Sequence, residues 1–282
     1  MTAPVPRFAA ALDTTQRKFW HTDYGSPLRD QAAVTLLLKE SGLLPDKLQG
    51  LLDRLPGADL QPDALSTQEQ AWAAAAGAVL GRDGRPVKVA QDGRAQPEAP
   101  IVQLALTGPT RLRNLGTLPV YQTVATTGVP VEAPAAARAG MRITRKFFLP
   151  NGEALNLDTL RQTMSFVLLF EGRSDDGQEH QAVLLQGLPA GWEIAGRLAA
   201  GKTAGMPWLG DLTDTDAQPA ADDRFAAVMT LTAAEPAFRI AVRLRAVTPG
   251  KFEMPGAQLS DMYRPGIFAR QAAARITVLP RE

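Results

Sequence analysis

Cysteine is absent from the 282-residue sequence, which excludes disulfides, thiolate metal sites and cysteine nucleophiles and leaves the redox compartment unmarked. Histidine is nearly as scarce. His21 and His180 lie far apart, too few for most imidazole-based metal or acid–base sites. No apolar run approaches the roughly 20 residues that would cross a bilayer as a helix. A dominant charge is also missing, since 30 basic residues face 29 acidic ones; a net charge of +1 gives no field to draw in nucleic acid or an anionic membrane. Met1–Arg7 lack the apolar core of a signal peptide, so the chain reads as having no export signal of its own.

What remains is an ordinary globular composition, 45% hydrophobic and 21% charged, on a chain long enough for two or three domains. The first eighty or so residues read as helices. Phe8, Ala11, Leu12 and Phe19 keep helical spacing, and Asp23-Tyr24-Gly25 forms a loop. Ser26-Pro27 then supplies an N-cap residue followed by proline at the first helical position. Leu28, Ala32 and Leu36 share a face of this second helix, which Ser41-Gly42 ends. Leu48, Leu51, Leu52 and Leu55 mark a third helix, stopped by Pro56-Gly57. In a fourth, Ser66 and Glu69 make an S-x-x-E capping box, each side chain satisfying a backbone N–H of the first turn. Trp72, Ala76 and Val79 form its buried stripe, and Gly81 closes it. Helices joined by short loops suggest antiparallel pairs.

After Gly81 the pattern changes to short strands: 101–106, 121–125, 142–148, 164–171, 181–185, 225–231, 238–247 and 275–279. In the clearest, Phe238, Ile240, Val242, Leu244 and Ala246 alternate with Arg239, Ala241, Arg243 and Arg245, predicting one buried and one wet face. Asn151-Gly152, Asp176-Gly177 and Pro249-Gly250 punctuate the region as turns. The expected fold class is α+β and multidomain, with N-terminal antiparallel helical hairpins followed by antiparallel β-sandwiches. The Pro/Ala/Gly-rich stretch 130–140 reads as a boundary between two sandwich units.

Few motifs promise chemistry. Gly196–Thr203 fits the phosphate-loop pattern G-x-x-x-x-G-K-[ST], but that chemistry needs a helix starting at the lysine, its N-terminus facing the phosphates. Gly205 and Pro207 follow at once and forbid one. Asp211, Asp214, Asp216, Asp222 and Asp223 lack the glycine and terminal glutamate of an EF-hand and read as a solvated loop. His180 near Ser174, Asp175 and Asp176 has triad residue types in a turn-like stretch without a nucleophile elbow. Arg239, Arg243 and Arg245 form a basic stripe, read first as an exposed polar face and second as an interdomain docking surface. Trp192 and Trp208 read as core residues. No catalytic, cofactor-binding or metal residue is assigned, and no cofactor is expected.

Several segments together resemble the end of bacterial alpha-2-macroglobulins: Asp23–Asp30, Leu65–Trp72, Leu188–Ile194, Asp222–Phe225, and Arg245–Gly250 continuing through Asp261–Pro265. Their order and spacing run over nearly the whole chain. The resemblance implies that residues 1–82 are the end of a thioester-type helical toroid, 83–138 part of a CUB-like sandwich, and 139–282 a terminal macroglobulin-like sandwich. It implies a non-enzymatic part of a protease-trapping endopeptidase inhibitor in the periplasm or envelope. Its partners would be the upstream macroglobulin and thioester-type domains and, through the parent, target proteases, with no nucleic acid and no membrane insertion. The Cys-x-Glu-Gln thioester motif is not in this chain; Glu69-Gln70 is not that motif. Met262 and Tyr263 are the resemblance's candidates for shielding such a bond from water, with anchoring of its own sandwich as the plainer role for Tyr263. The alternative is a freestanding β-sandwich binding or adhesion module with a helical appendage. An enzyme joining a toroid to sandwiches would need a full helical ring and a cleft of His, Tyr and Arg.

Overall fold

Helix boundaries follow the capping signals in the sequence. The structure is a computed structural model that describes residues 25–53 and 65–281 except 83, 121, 204 and 220. The expected first helix, His21, Tyr24, Leu55 and the Pro56-Gly57 stop lie outside the described residues. The chain divides into two compact units, Met1–Gly128 and Val129–Glu282.

In the first unit, α1 (Pro27–Ser41) starts where Ser26 Oγ accepts the Arg29 N–H at 3.1 Å. It ends at Gly42, whose φ of 66° is the left-handed conformation that glycine adopts without penalty. α2 (Pro45–Leu52) is a short amphipathic helix of about two turns opened by proline. α3 (Thr67–Arg82) carries the capping box: Glu69 N donates to Ser66 Oγ at 3.2 Å, and Ser66 N donates to Glu69 Oε2 at 2.8 Å. The second carboxylate oxygen accepts the Ser26 hydroxyl at 2.5 Å, so one glutamate ties together the N-termini of α1 and α3. The buried face of α1 is Ala32, Thr35 and Leu38, rotated from the expected Leu28–Ala32–Leu36 face because α1 packs on both α2 and α3. α3 runs through Gly81 to Arg82, with Ala76 and Val79 buried and Trp72 half-buried.

Residues 101–106 and 122–125 are not strands. The sheet of this unit is instead β1 (Val89–Gln91), β2 (Arg94–Ala95) and β3 (Leu112–Asn114), in the antiparallel order β2-β1-β3. Asp92-Gly93 turns β1 into β2, with φ of 50° and 86°. Both central residues of a tight hairpin need positive φ to match the strands' twist, and an Asp-Gly pair accepts it. That dipeptide, rather than apolar alternation, was the signal for the hairpin.

The second unit is a sandwich. One sheet has the order β5-β6-β10-β8, from Met141–Phe148, Ser165–Ser174, Ala237–Ala246 and Trp192–Arg197. The other has the order β4-β13-β12-β7-β9, from Ala137–Ala139, Phe268–Arg270, Gln258–Asp261, His180–Gly187 and Arg224–Leu231. A ribbon of β11 (Gly250–Met254) and β14 (Ala274–Val278) completes it, and all named pairs are antiparallel. Alternate residues of each sheet point inward, as pleating requires. Phe166, Leu168, Phe170, Ile240, Val242 and Leu244 meet Ala182, Leu184, Phe225, Ala227, Met229 and Leu259 in one dry core. Trp192 belongs to this core, edge-on to Phe166 at 4.9 Å between ring centroids.

The outer face of the first sheet is covered over its centre, where alternation alone suggested a wet face, while Arg142, Thr144, Lys146 and Arg245 stay exposed. Residues 198–213 cross it as a strap: Leu198, Met206, Leu209 and Leu212 bury Val167, Leu169 and Ala241, with Phe148 and Trp208 packed against them. This is why Phe166–Phe170 is buried without a break, for a strand covered on both faces loses its polar alternation.

Candidate functional site

The strap absorbs the phosphate-loop look-alike. Gly196 and Arg197 end β8, Lys202 N donates back to the Ala199 carbonyl at 2.9 Å, and Gly201 takes φ 66°. The segment is a tight turn without a helix at the lysine, so no backbone N–H array faces a phosphate. Arg239 is turned into the strap's fastening: its Nε donates to the Leu209 carbonyl at 2.8 Å, and its Nη1 bonds Glu171. Arg243 lies against Gly196 and the Ala195 carbonyl, whereas Arg245 is exposed. Asp211 lies in the strap, and Asp214, Asp216, Asp222 and Asp223 lie in the connection from it to β9; among them, Asp216 accepts the Thr230 hydroxyl.

A second cluster is built where β12 ends beside the start of β7. Antiparallel pairing sets Asp261 against Ala182, one residue pair from the strand ends, and Met262 N continues the ladder to the Gln181 carbonyl at 2.9 Å. This register brings together His180 and Asp261, 81 residues apart, and both side chains are fully buried. His180 Nδ1 stands 2.9 Å from Asp261 Oδ2, and its Nε2 stands 2.7 Å from Asp176 Oδ1. Asp176 comes from the turn before β7, where Gly177 has φ 69°. The turn expected at Asp176-Gly177 is therefore real and supplies a partner for the imidazole.

Asp261 also organises the chain that follows it. Its Oδ1 accepts the N–H groups of Tyr263 at 2.7 Å and Arg264 at 2.8 Å. Its Oδ2 receives Arg264 Nε at 3.0 Å and Nη2 at 2.9 Å. Arg264 then reaches the Gln178 side chain at 2.9 Å and the Glu179 carbonyl. Met262 and Tyr263 sit at the tip of this turn. Met262 is 36% exposed, and Tyr263 is half-buried.

Each imidazole nitrogen stands beside a carboxylate, which favours the charged ring, and Nδ1 also stands 2.9 Å from Arg264 Nη2, whose N–H the neutral ring accepts. Burial opposes that charge, but the hydrogen bonds to Asp261 and Asp176 outweigh it and raise the His180 pKa above its ordinary value. Burial likewise works against the Asp261 carboxylate; the imidazole and the backbone donors of Tyr263 and Arg264 overcome it and hold its pKa low. Asp176 shifts down for the same reasons, with Gln178 N as its backbone donor. When His180 is protonated, its charge and that of Arg264 balance those of the two aspartates. Ser174 Oγ, the remaining triad-type group, is buried and has no hydrogen-bond partner, while His180 is spent on carboxylates. The cluster holds a turn; it is not arranged to activate a nucleophile. Sequence reasoning placed Met262 and Tyr263 at a strand end but missed the assembly behind them, since its members come from two segments 81 residues apart.

A strapped antiparallel sandwich, preceded by a unit of helices and a small sheet, defines a macroglobulin-like β-domain at the end of an α+β chain. Residues 140–266 match the family described as Bacterial Alpha-2-macroglobulin MG10 domain. The alpha-2-macroglobulin of Escherichia coli (strain K12) is 28% identical over 300 residues, covering 96% of this chain and 17% of that protein. The alpha-2-macroglobulin of Xylella fastidiosa (strain Temecula1) is 28% identical over 292 residues, with 91% and 17% covered. Among solved structures, the native conformation of E. coli alpha-2-macroglobulin superposes with a TM-score of 0.77 at 24% identity, over 97% of this chain and 18% of that one. Salmonella alpha-2-macroglobulin reacted with methylamine gives 0.73 at 24% identity, again over 97% and 18%. Through nearly its whole length the chain is thus similar to bacterial alpha-2-macroglobulins. It spans 17% of the length of the curated relatives it matches.

Proposed function

We propose that the chain is the C-terminal structural and regulatory portion of a bacterial alpha-2-macroglobulin-like endopeptidase inhibitor, without catalysis of its own. The observation that carries this reading is the similarity to one relative through nearly the whole chain, across both units. In this reading residues 1–82 end the thioester-type helical domain, 83–138 are part of a CUB-like sandwich, and 139–282 are the terminal macroglobulin-like sandwich. The upstream domains of the parent are its partners, target proteases are reached through the parent, and the setting is the periplasm or envelope.

Within this reading Met262 and Tyr263 shield the parent's thioester from water, where the parent has one. A partly exposed methionine on a turn anchored by buried charges suits a surface that meets another domain. Arg243 and Arg245 are the members of the basic stripe left for interdomain docking, Arg239 being committed to the strap. Shielding is tested by Tyr263→Ala in a full-length thioester-bearing protein of this family. Faster consumption by methylamine supports it, and unchanged reactivity sinks it. The parent itself is tested by immunoblot of fractionated source cells with an antibody against residues 139–282. A band far above the chain's own 30.2 kDa, in the envelope or periplasm, is the expected result. A band at that mass would turn the reading toward a separate binding module.

A further inference from the structure

Resting on the reading of the Met262–Tyr263 tip as a contact surface, we propose that Asp261 is a positioning residue which, with His180 and Arg264, fixes that tip in one arrangement. The turn has a backbone frame of its own: Met262 N bonds the Gln181 carbonyl, Asp261 N bonds the Ile267 carbonyl at 3.0 Å, and Ile267 N bonds the Arg264 carbonyl at 2.9 Å. These bonds close the ends of the loop and do not engage the N–H groups of residues 263 and 264. Asp261 Oδ1 takes both of those N–H groups, which sets the backbone that carries Tyr263.

An ordinary turn of this kind needs one exposed carboxylate or amide oxygen. Here the carboxylate is fully buried, and Oδ2 is itself held by His180 and Arg264. Burying two ion pairs costs desolvation that an apolar core would avoid, so such a cluster is poor value for stability and better suited to specifying one arrangement. The surface it supports points the same way. Among the described residues from 140 onward, Met262 is the exposed large hydrophobic side chain, while the other large apolar groups of this sandwich are at least partly buried. An apolar tip on a charge-locked base is built to meet something in a fixed pose. The groups facing His180 are Asp176 from the preceding turn, Asp261 from the end of β12, and Arg264 from the loop beyond it.

The test is amide hydrogen exchange of the 282-residue chain, read as protection factors at Met262, Tyr263 and Arg264, with Leu168–Phe170 of β6 as internal reference. In Asp261→Asn the amide oxygen can replace only one of the two acceptors, and the amide nitrogen turns a donor toward His180 and Arg264 or toward the N–H groups of residues 263 and 264. The expected result is at least a tenfold loss of protection at 263 and 264, with the β6 amides changed less than twofold. A folded variant that keeps protection at those two amides overturns the proposal. If the variant does not fold, the wild type decides. Protection at 263 and 264 should fall as pH rises through the His180 titration while β6 holds, and His180→Gln should flatten that profile. A wild-type profile parallel to β6 overturns the proposal.

The same Asp261→Asn change in a full-length thioester-bearing relative separates this inference from the shielding reading. Lost protection with faster methylamine consumption supports both. Lost protection with unchanged consumption leaves Asp261 as the positioning residue and removes shielding as the purpose of the tip.

Discussion

The two units reach order by opposite routes. In the helical unit the decisive contacts are local: Ser26 caps Arg29, and Ser66 and Glu69 cap each other, all within three residues. In the sandwich they are remote. Arg145 reaches the carbonyls of Pro255 and Ala272, 110 and 127 residues away, and His180 meets Asp261 across 81. Local contacts cost little loop entropy and leave a plain imprint on sequence, whereas remote ones depend on the whole topology being in place. The Ser26–Glu69 hydrogen bond departs from that pattern: it spans 43 residues and fastens two local caps to each other.

The contrast can be broken at its remote end first. Asp261→Ala leaves His180 and Arg264 without their shared carboxylate in a buried site, a change expected to cost about 3–5 kcal/mol. Chemical denaturation followed by tryptophan emission from Trp192 reads the loss in the sandwich. A cost below about 1 kcal/mol would mean that the site is solvated and the cluster ornamental. Gly256→Ala is next. A Cβ there would lie 1.8 Å from the Gln271 carbonyl oxygen, and two backbones cannot separate without disturbing the Gln271–Ala257 hydrogen bond. About 2–3 kcal/mol is expected, toward the upper end of overpacking penalties, from the same denaturation curves.

At the local end, Glu69→Ala removes the reciprocal cap of α3 and the Ser26 link, for about 1–2 kcal/mol. The loss should appear in far-ultraviolet circular dichroism of the helices and leave the Trp192 transition in place. A shift of both transitions together would show that the units unfold as one.

The smallest effect is that of pH. His180 has a raised pKa in the folded chain, so its contribution is complete below the unfolded value of about 6.5 and is lost as pH rises through the folded value. Asp261 and Asp176 have lowered pKa values, so their contributions are present above the ordinary carboxylate range and are lost as pH falls through the folded values. Stability from the cluster should therefore peak from mildly acidic to neutral pH and decline on both sides. In His180→Gln the alkaline decline should vanish from the denaturation midpoints.

Much of this fold is written locally. The caps at Ser26 and Ser66, the stop at Gly42, the turn at Asp176-Gly177 and six of the sandwich strands follow from residue spacing, because a helix or strand needs one face and two ends. Where alternation misled, a tertiary cover was responsible. β10 looks one-sided until the strap is laid across its sheet, and Arg239 looks solvent-facing until it fastens that strap. The strands proposed at 101–106 and 121–125 failed for the converse reason, since apolar spacing without a pairing partner makes no ladder.

The sequence by itself determined the class of fold, the absence of any cysteine chemistry and the place of Met262 and Tyr263 at the end of a strand. It also excluded a phosphate site at Gly196–Thr203, because Gly205 and Pro207 deny the helix that chemistry needs. Only the tertiary structure decided that the buried His180 and Asp261 side chains meet, with Arg264 and the exposed Asp176 completing the group. Their meeting depends on the register of β7 against β12, and a shift of one residue would turn these side chains to the other face of the sheet.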